Sequence, residues 1–166
     1  MFVLIKKAFP VISWICFIDS MKSVTKLFFL ILIFSCSAGV VYPGEPEAIM
    51  NATVNGNKLS IRIVIPPQHH AYLDKGKEGN YIPVSFNWAA LIKDGSLKKE
   101  PTMISAPKGE FEKVASAKVL RGEGIFIFES VEIPSLKGKS IKVKSQICDD
   151  IKGVCYRPSI KDVKIQ

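Results

Sequence analysis

The sequence predicts an all-β fold, an immunoglobulin-like antiparallel β-sandwich, preceded by a cleavable signal peptide. Three observations carry this: apolar residues alternate with polar ones, turn-forming residues recur at short intervals, and no stretch after the first 44 residues keeps a helical period. Leu59, Ile61, Ile63 and Ile65 recur at every second position of NKLSIRIVI, the period of a half-buried strand. The Asn55-Gly56 pair just before them marks a hairpin turn. Further strand-like runs are YIPVSFNW (81–88), EFEKVASAKVL (110–120), GIFIFESVEI (124–133), SIKVKSQI (140–147) and the closing SIKDVKIQ. Gly, Pro, Asp and Lys clusters separate them, among them PPQ, DKGKEGN, KDGS, SAPKGE, RGEG and SLKGK. About seven short strands in some 120 residues suit a sandwich.

The first segments are read as processing signals rather than fold. From Met21, Lys22 and Lys26 precede an apolar run from Leu27 to Phe34, and small residues follow to Gly39. A charged start, a short apolar stretch and a small-residue exit form a secretory signal peptide, assigned to 21–44. Cleavage after Ala38 or Gly39 fits, and a lipoprotein-type cut before Cys36 is an alternative. Residues 1–20 are read as an N-terminal extension ahead of the true start at Met21, with a first transmembrane helix as the alternative. The domain proper is placed at 45–166.

From Glu45 onward the chain has 19 Lys and Arg against 14 Asp and Glu, a net charge of +5. The lysines are scattered along it, which describes a solvated surface rather than the basic stripe of a nucleic-acid-binding domain. No nucleic-acid partner is expected, and a chain of this size suits a monomer with one core.

Chemistry points to SQICDDIKGVCYRP (145–158), which contains Cys148 and Cys155 with six residues between them. Strand SIKVKSQIC leads into the first cysteine, and Asp149, Asp150 and Gly153 are turn formers, so the two face each other across a hairpin. In an oxidising compartment they are expected to pair. A structural bridge over so short a loop contributes at most about 2.5 kcal/mol in the chain-entropy model. Residue pattern alone leaves structural and redox-active roles equally open. The third alternative is a Cys2His metal site, thinly supported because His69 and His70 on a strand point to opposite faces, so at most one joins the sulfurs. Carboxylates after Cys148 disfavour a thiolate there, whereas Arg157 near Cys155 favours one. Cys155 is therefore the expected nucleophile and Cys148 the resolving thiol.

The hairpin CDDIKGVCYRP resembles the active-site hairpin of the N-terminal domain of the DsbD protein-disulfide reductase family of the bacterial envelope. The upstream segment IPPQHHAYLDKGKEGNYIPVSFNW resembles the same family's aromatic or histidine pair, glycine-rich loop and Pro-to-Trp strand, in the same order. The resemblance spans 47–166. Six residues lie between the cysteines, one more than in the family's better-known members.

The resemblance implies an immunoglobulin-like fold and a periplasmic dithiol that passes reducing equivalents onward without a cofactor or metal. The donor would be a thioredoxin-like domain or a membrane electron transporter. The acceptors would be oxidised periplasmic proteins, such as a disulfide isomerase or a cytochrome c maturation factor. It implies that Cys155 forms the mixed disulfide and Cys148 resolves it, with His70, Tyr72 and Tyr156 as neighbours of the sulfurs. Trp88 is assigned to the core. A loop covering the dithiol would fall at about 108–118, where Phe111 is the one aromatic residue. The family's membrane and terminal thioredoxin domains have no counterpart in these 166 residues, so the partners are expected to be separate proteins, or the chain is a piece of a longer reductase. The alternative reading is an exported immunoglobulin-like interaction module with a purely structural disulfide.

Overall fold

The computed structural model describes residues 44–166. The expectations for 1–20, for Cys16 and Cys36, and for the signal peptide up to position 43 lie outside the described residues. The described residues form twelve short strands: β1 (Ile49–Asn55), β2 (Lys58–Val64), β3 (His69–Tyr72), β4 (Ser85–Asn87), β5 (Thr102–Ser105), β6 (Glu110–Glu112), β7 (Ala117–Leu120), β8 (Glu123–Glu129), β9 (Ser140–Ser145), β10 (Ile147–Asp149), β11 (Val154–Cys155) and β12 (Ser159–Lys164). They form three sheets ordered β1-β2-β8-β5, β12-β9-β4 and β11-β10-β3-β7-β6. All strand pairs within them are antiparallel. β9 runs into β10 with only Gln146 between, so the second and third sheets make one layer facing the first. The result is the expected all-β, immunoglobulin-like sandwich.

Alternation decides what is inside. Leu59, Ile61 and Ile63 are fully buried, and their partners across β2–β8 include Phe126 and Phe128, also buried. Ile141, Val143 and Ile147 come from the opposite layer to meet them. Aromatic rings bridge the two layers: Phe86 meets Phe126 and Phe128 edge to face at 5.0 and 4.9 Å, and Trp88 meets Phe128 at 5.0 Å. Trp88 is core, as the sequence indicates. The chain end closes one edge, where Gln166 and β1 exchange backbone hydrogen bonds at Ala52 and Val54.

The β1–β2 hairpin pairs Asn55 with Lys58, so its two loop residues are Gly56 and Asn57, one step beyond the expected pair. Gly56 has φ +57° at the first central position and Asn57 is not left-handed, the arrangement that favours glycine there. The runs at 110–120 and 140–147 each divide into two strands, β6 with β7 and β9 with β10. Of YIPVSFNW only Ser85–Asn87 is strand.

One helix was not expected from the sequence, α1 (Ala89–Lys93). At five residues it is too short to display a period. Asn87 Oδ1 accepts the Ala89 N–H at 2.9 Å where the helix begins, and Leu91 is its buried anchor. Among the described residues no helix is long and apolar enough to cross a membrane.

Ile61→Ala should lower stability by about 2–5 kcal/mol in urea unfolding, because a fully buried side chain leaves a cavity between the layers. Arg62→Ala, next in sequence but on the solvent face, should leave the midpoint nearly unchanged although it removes the exposed ion pair to Glu123. Equal losses for the two would contradict the alternation described here.

Candidate functional site

β10 is paired on both sides. Cys148 lies opposite Cys155 on β11 and opposite His70 on β3. Residues directly opposite in antiparallel strands project from the same face, so Cys155, Cys148 and His70 form a row across the sheet. One step beyond the Ala71–Leu120 pair of β3 and β7, Arg121 extends the row. Tyr72 and Asp150, two positions along from His70 and Cys148, share this face. The opposite face, with Ala71, Leu120 and Ile147, belongs to the sandwich core.

Cys148 and Cys155 are joined in a disulfide with Cα atoms 3.9 Å apart. The two sulfurs have unlike surroundings: Cys148 is 2% exposed, whereas Cys155 is exposed. Cys148 belongs to a small second cluster with Tyr72, Ala115, Ala117 and Val119, separate from the main core. Tyr81, from the β3–β4 loop, stacks on Tyr72 with ring centroids 4.0 Å apart.

The hairpin is shaped by its aspartates, as turn chemistry predicts. Asp149 Oδ1 accepts the N–H groups of Ile151 and Lys152 at 2.9 Å. Gly153 sits at φ +64°, and its N–H donates to the Asp149 carbonyl. Lys152, first through its backbone N–H, and then Ile151 hold the Asp149 carboxyl below its ordinary range, against the burial that opposes this.

Asp150 points the other way, into a polar frame. Arg121 donates to both of its oxygens, at 3.1 and 3.2 Å, and also to Glu110 and Glu112 at 3.0 Å. His70 Nδ1 meets Asp150 Oδ1 at 2.6 Å. The Arg121 hydrogen bond first, and then His70, keep the Asp150 carboxyl low although burial opposes this. The Arg121 guanidinium is in turn held more firmly protonated than usual, chiefly by Asp150 and Glu112. Burial first, and then Tyr81, push the Tyr72 hydroxyl up to about 12, so it is a neutral wall at ordinary pH.

These groups enclose an open hollow of about 660 Å³ that contains both cysteines. His70 and Tyr72 line it, at 8% and 5% exposure. Tyr156 does not line it. Its ring packs toward the sandwich core, its hydroxyl donates to Asp149 Oδ2 at 3.3 Å, and its centroid lies 6.2 Å from that of His69. The guanidinium of the hollow is Arg121 rather than Arg157. Glu112, Val114 and Ala115, from the segment where a covering loop was expected, do reach the hollow, whereas Phe111 is 66% exposed and lines none of it. Its aromatic rings are Tyr72 and Tyr81.

Tyr81 and Arg121 were missed in the sequence. Tyr81 stands nine positions after Tyr72 across an irregular loop, and no local pattern brings the two together. Arg121 reads as part of the turn RGEG. His69 and His70 alternate as expected: His69 faces Pro67 and Asp149, and His70 faces Asp150. Among the described residues no group of three or more His, Cys, Asp and Glu is arranged to hold a metal ion.

Asp149 and Asp150 hold protons less tightly in the folded than in the unfolded chain. Their contribution to stability is therefore present in full above about pH 4 and lost as pH falls through their lowered folded values. The thermal midpoint should fall as pH is lowered from about 4 toward about 2, and Asp150→Asn should make that fall shallower. A midpoint that is flat over this range, or equally steep in the variant, would count against the frame as drawn.

No protein-family model matches the chain, and no curated protein sequence matches it. Among solved structures it is similar to the reduced DsbD N-terminal domain of Neisseria meningitidis, at 19% identity and a TM-score of 0.44, over 75% of this chain and 90% of that one. It is similar, at the same identity and TM-score, to a structure of the complex between the DsbD N-terminal and PilB N-terminal domains from Neisseria meningitidis, over 76% of this chain and 88% of that one.

Proposed function

We propose that the 45–166 domain is a periplasmic thiol–disulfide exchange module, in which the Cys148–Cys155 pair relays reducing equivalents from a thioredoxin-like or membrane donor to oxidised envelope proteins. The observation that carries this is the unequal exposure of the two sulfurs at the rim of an open hollow, with Cys155 accessible and Cys148 buried behind it. Thiol–disulfide exchange depends on which sulfur an incoming thiolate can reach. The motif resemblance at 47–166 points the same way.

The chemistry needs only sulfur. A donor thiolate attacks Cys155 Sγ, a donor–Cys155 bond forms, and Cys148 Sγ leaves with the electron pair of the broken S–S bond. The donor's second thiolate then attacks the donor sulfur of the mixed disulfide and releases Cys155. In the forward half, the Cys155 thiolate attacks an acceptor disulfide, and Cys148 attacks Cys155 Sγ to expel the reduced acceptor and restore the bridge. Two electrons and two protons pass from donor dithiol to acceptor. Val114, Ile151 and Val154 are exposed near the sulfurs, at 95%, 70% and 47%, and offer apolar contacts to a docking protein.

The disulfide also ties a hairpin whose outer strand, β11, has two residues, which is what a staple would do. This favours the second reading, an exported interaction module with a structural bridge. The reduction potential separates the two. Equilibrated in glutathione buffers with thiol trapping, the pair should show a value near or above about −250 mV if it is exchangeable, and a value well below about −300 mV would leave the structural reading standing. In the Cys148→Ser variant, Cys155 should accumulate a lasting mixed disulfide with a thioredoxin-like partner, and Cys155→Ser should accumulate none. Equal trapping by the two variants would overturn the assigned roles.

A further inference from the structure

We infer that His70 is the proton-carrying partner of Cys148, its Nε2 supplying a proton to Cys148 Sγ when the disulfide opens and taking it back when the disulfide closes. The inference rests on the exchange reading above and names a residue role within it. The first support is position. Cys148 and His70 are direct cross-strand partners, with Cβ atoms expected about 4.5–5.5 Å apart, and both line the hollow.

The second support is the inequality of the two ring nitrogens. Nδ1 meets Asp150 Oδ1 at 2.6 Å, and Asp150 also accepts from Arg121 through both oxygens. An ionised carboxylate only accepts hydrogen bonds, so Nδ1 carries a hydrogen and Nε2 is the nitrogen at which a proton comes and goes. The third is that Nε2 is buried and, among the described residues, has no hydrogen-bond partner. Buried polar atoms are satisfied as a rule. Opening the disulfide supplies the missing partner, a Cys148 thiol or thiolate on the neighbouring strand.

The charges around His70 leave it this task. Asp150 faces the hollow from the hairpin and Glu112 from β6, the Asp149 carboxylate is turned to the Ile151 and Lys152 amides, Tyr72 is neutral, and Tyr81 adds a phenol ring. Arg121 is already shared among Glu110, Glu112 and Asp150. Lys152 is directed at Asp149 and is 69% exposed. A thiolate released at the buried Cys148 among these carboxylates is costly. An Nε2 proton offsets that cost by pairing with the sulfur or moving to it. In the closing direction, neutral His70 accepts the Cys148 thiol proton as the thiolate attacks Cys155 Sγ in the mixed disulfide. The proton is one of the two that travel with the electron pair from donor to acceptor.

The test has two parts, both on the full chain reduced with dithiothreitol, so that it proceeds whether or not a protein donor reacts. Imidazole 15N resonances are first compared between the oxidised and reduced unmutated protein. The His70 Nε2 resonance should move on reduction and that of His69 should not; an unchanged His70 Nε2 overturns the inference. The alkylation rate of Cys148 is then followed against pH in Cys155→Ser, peptide by peptide by mass spectrometry so that Cys16 and Cys36 do not contribute. Adding His70→Gln, whose amide can still donate to Asp150, should slow Cys148 alkylation about tenfold near neutral pH and remove the histidine step from the profile. An unchanged profile also overturns it. Failure of the relay itself would show separately, as a low reduction potential in the unmutated chain.

Discussion

The register of β10 is the constraint on which the site depends. Pairing on both sides puts Cys148 opposite Cys155 and His70 at once, and the pleat requires all three side chains to share one face. A slip of one residue would send Cys148 into the sandwich core and turn Ile147 outward. That slip is opposed from within, because Ile141, Val143 and Ile147 are buried on the same side of the continuous β9–β10 run. The hydrophobic effect in the main core thus positions a disulfide that is not part of it.

This separation has a mechanistic consequence. The main core is built from the inner faces of the two layers, and the disulfide sits in a satellite cluster on the other side of the sheet. Opening the bridge removes no contact from the main core. The main core rests on Leu59, Ile61, Ile63, Phe126 and Phe128, none of which belongs to the cluster around the disulfide. A disulfide spanning the two layers would couple stability to oxidation much more tightly.

The polar frame around the hollow divides the labour between two adjacent aspartates. Asp149 is consumed by the turn, where backbone N–H groups occupy its oxygens, and Asp150 is consumed by Arg121 and His70. As neighbours in the chain they point apart. Sequence reasoning treats them alike, as two carboxylates that discourage a thiolate at Cys148. The fold makes one a turn former and the other the residue that orients an imidazole.

By itself, the sequence determined the sandwich, the inward parity of Leu59, Ile61 and Ile63, the hairpin holding the two cysteines and the opposite facing of His69 and His70. These follow from period-2 alternation and turn chemistry, which act between residues close in the chain. It did not reveal α1, which is too short to show a period, or the division of 110–120 and 140–147 into separate strands. It also did not reveal which cysteine is buried. In SIKVKSQIC, Cys148 shares its parity with Lys142 and Lys144, the solvent face of β9, and local pattern alone would leave it exposed. Tertiary structure decided otherwise: β3 and β7 bring Tyr72, Ala117 and Val119 over Cys148, and Tyr81 and Arg121 arrive from distant segments to complete the hollow. Burial depends on what another part of the chain places above a side chain, and no period within a strand encodes that.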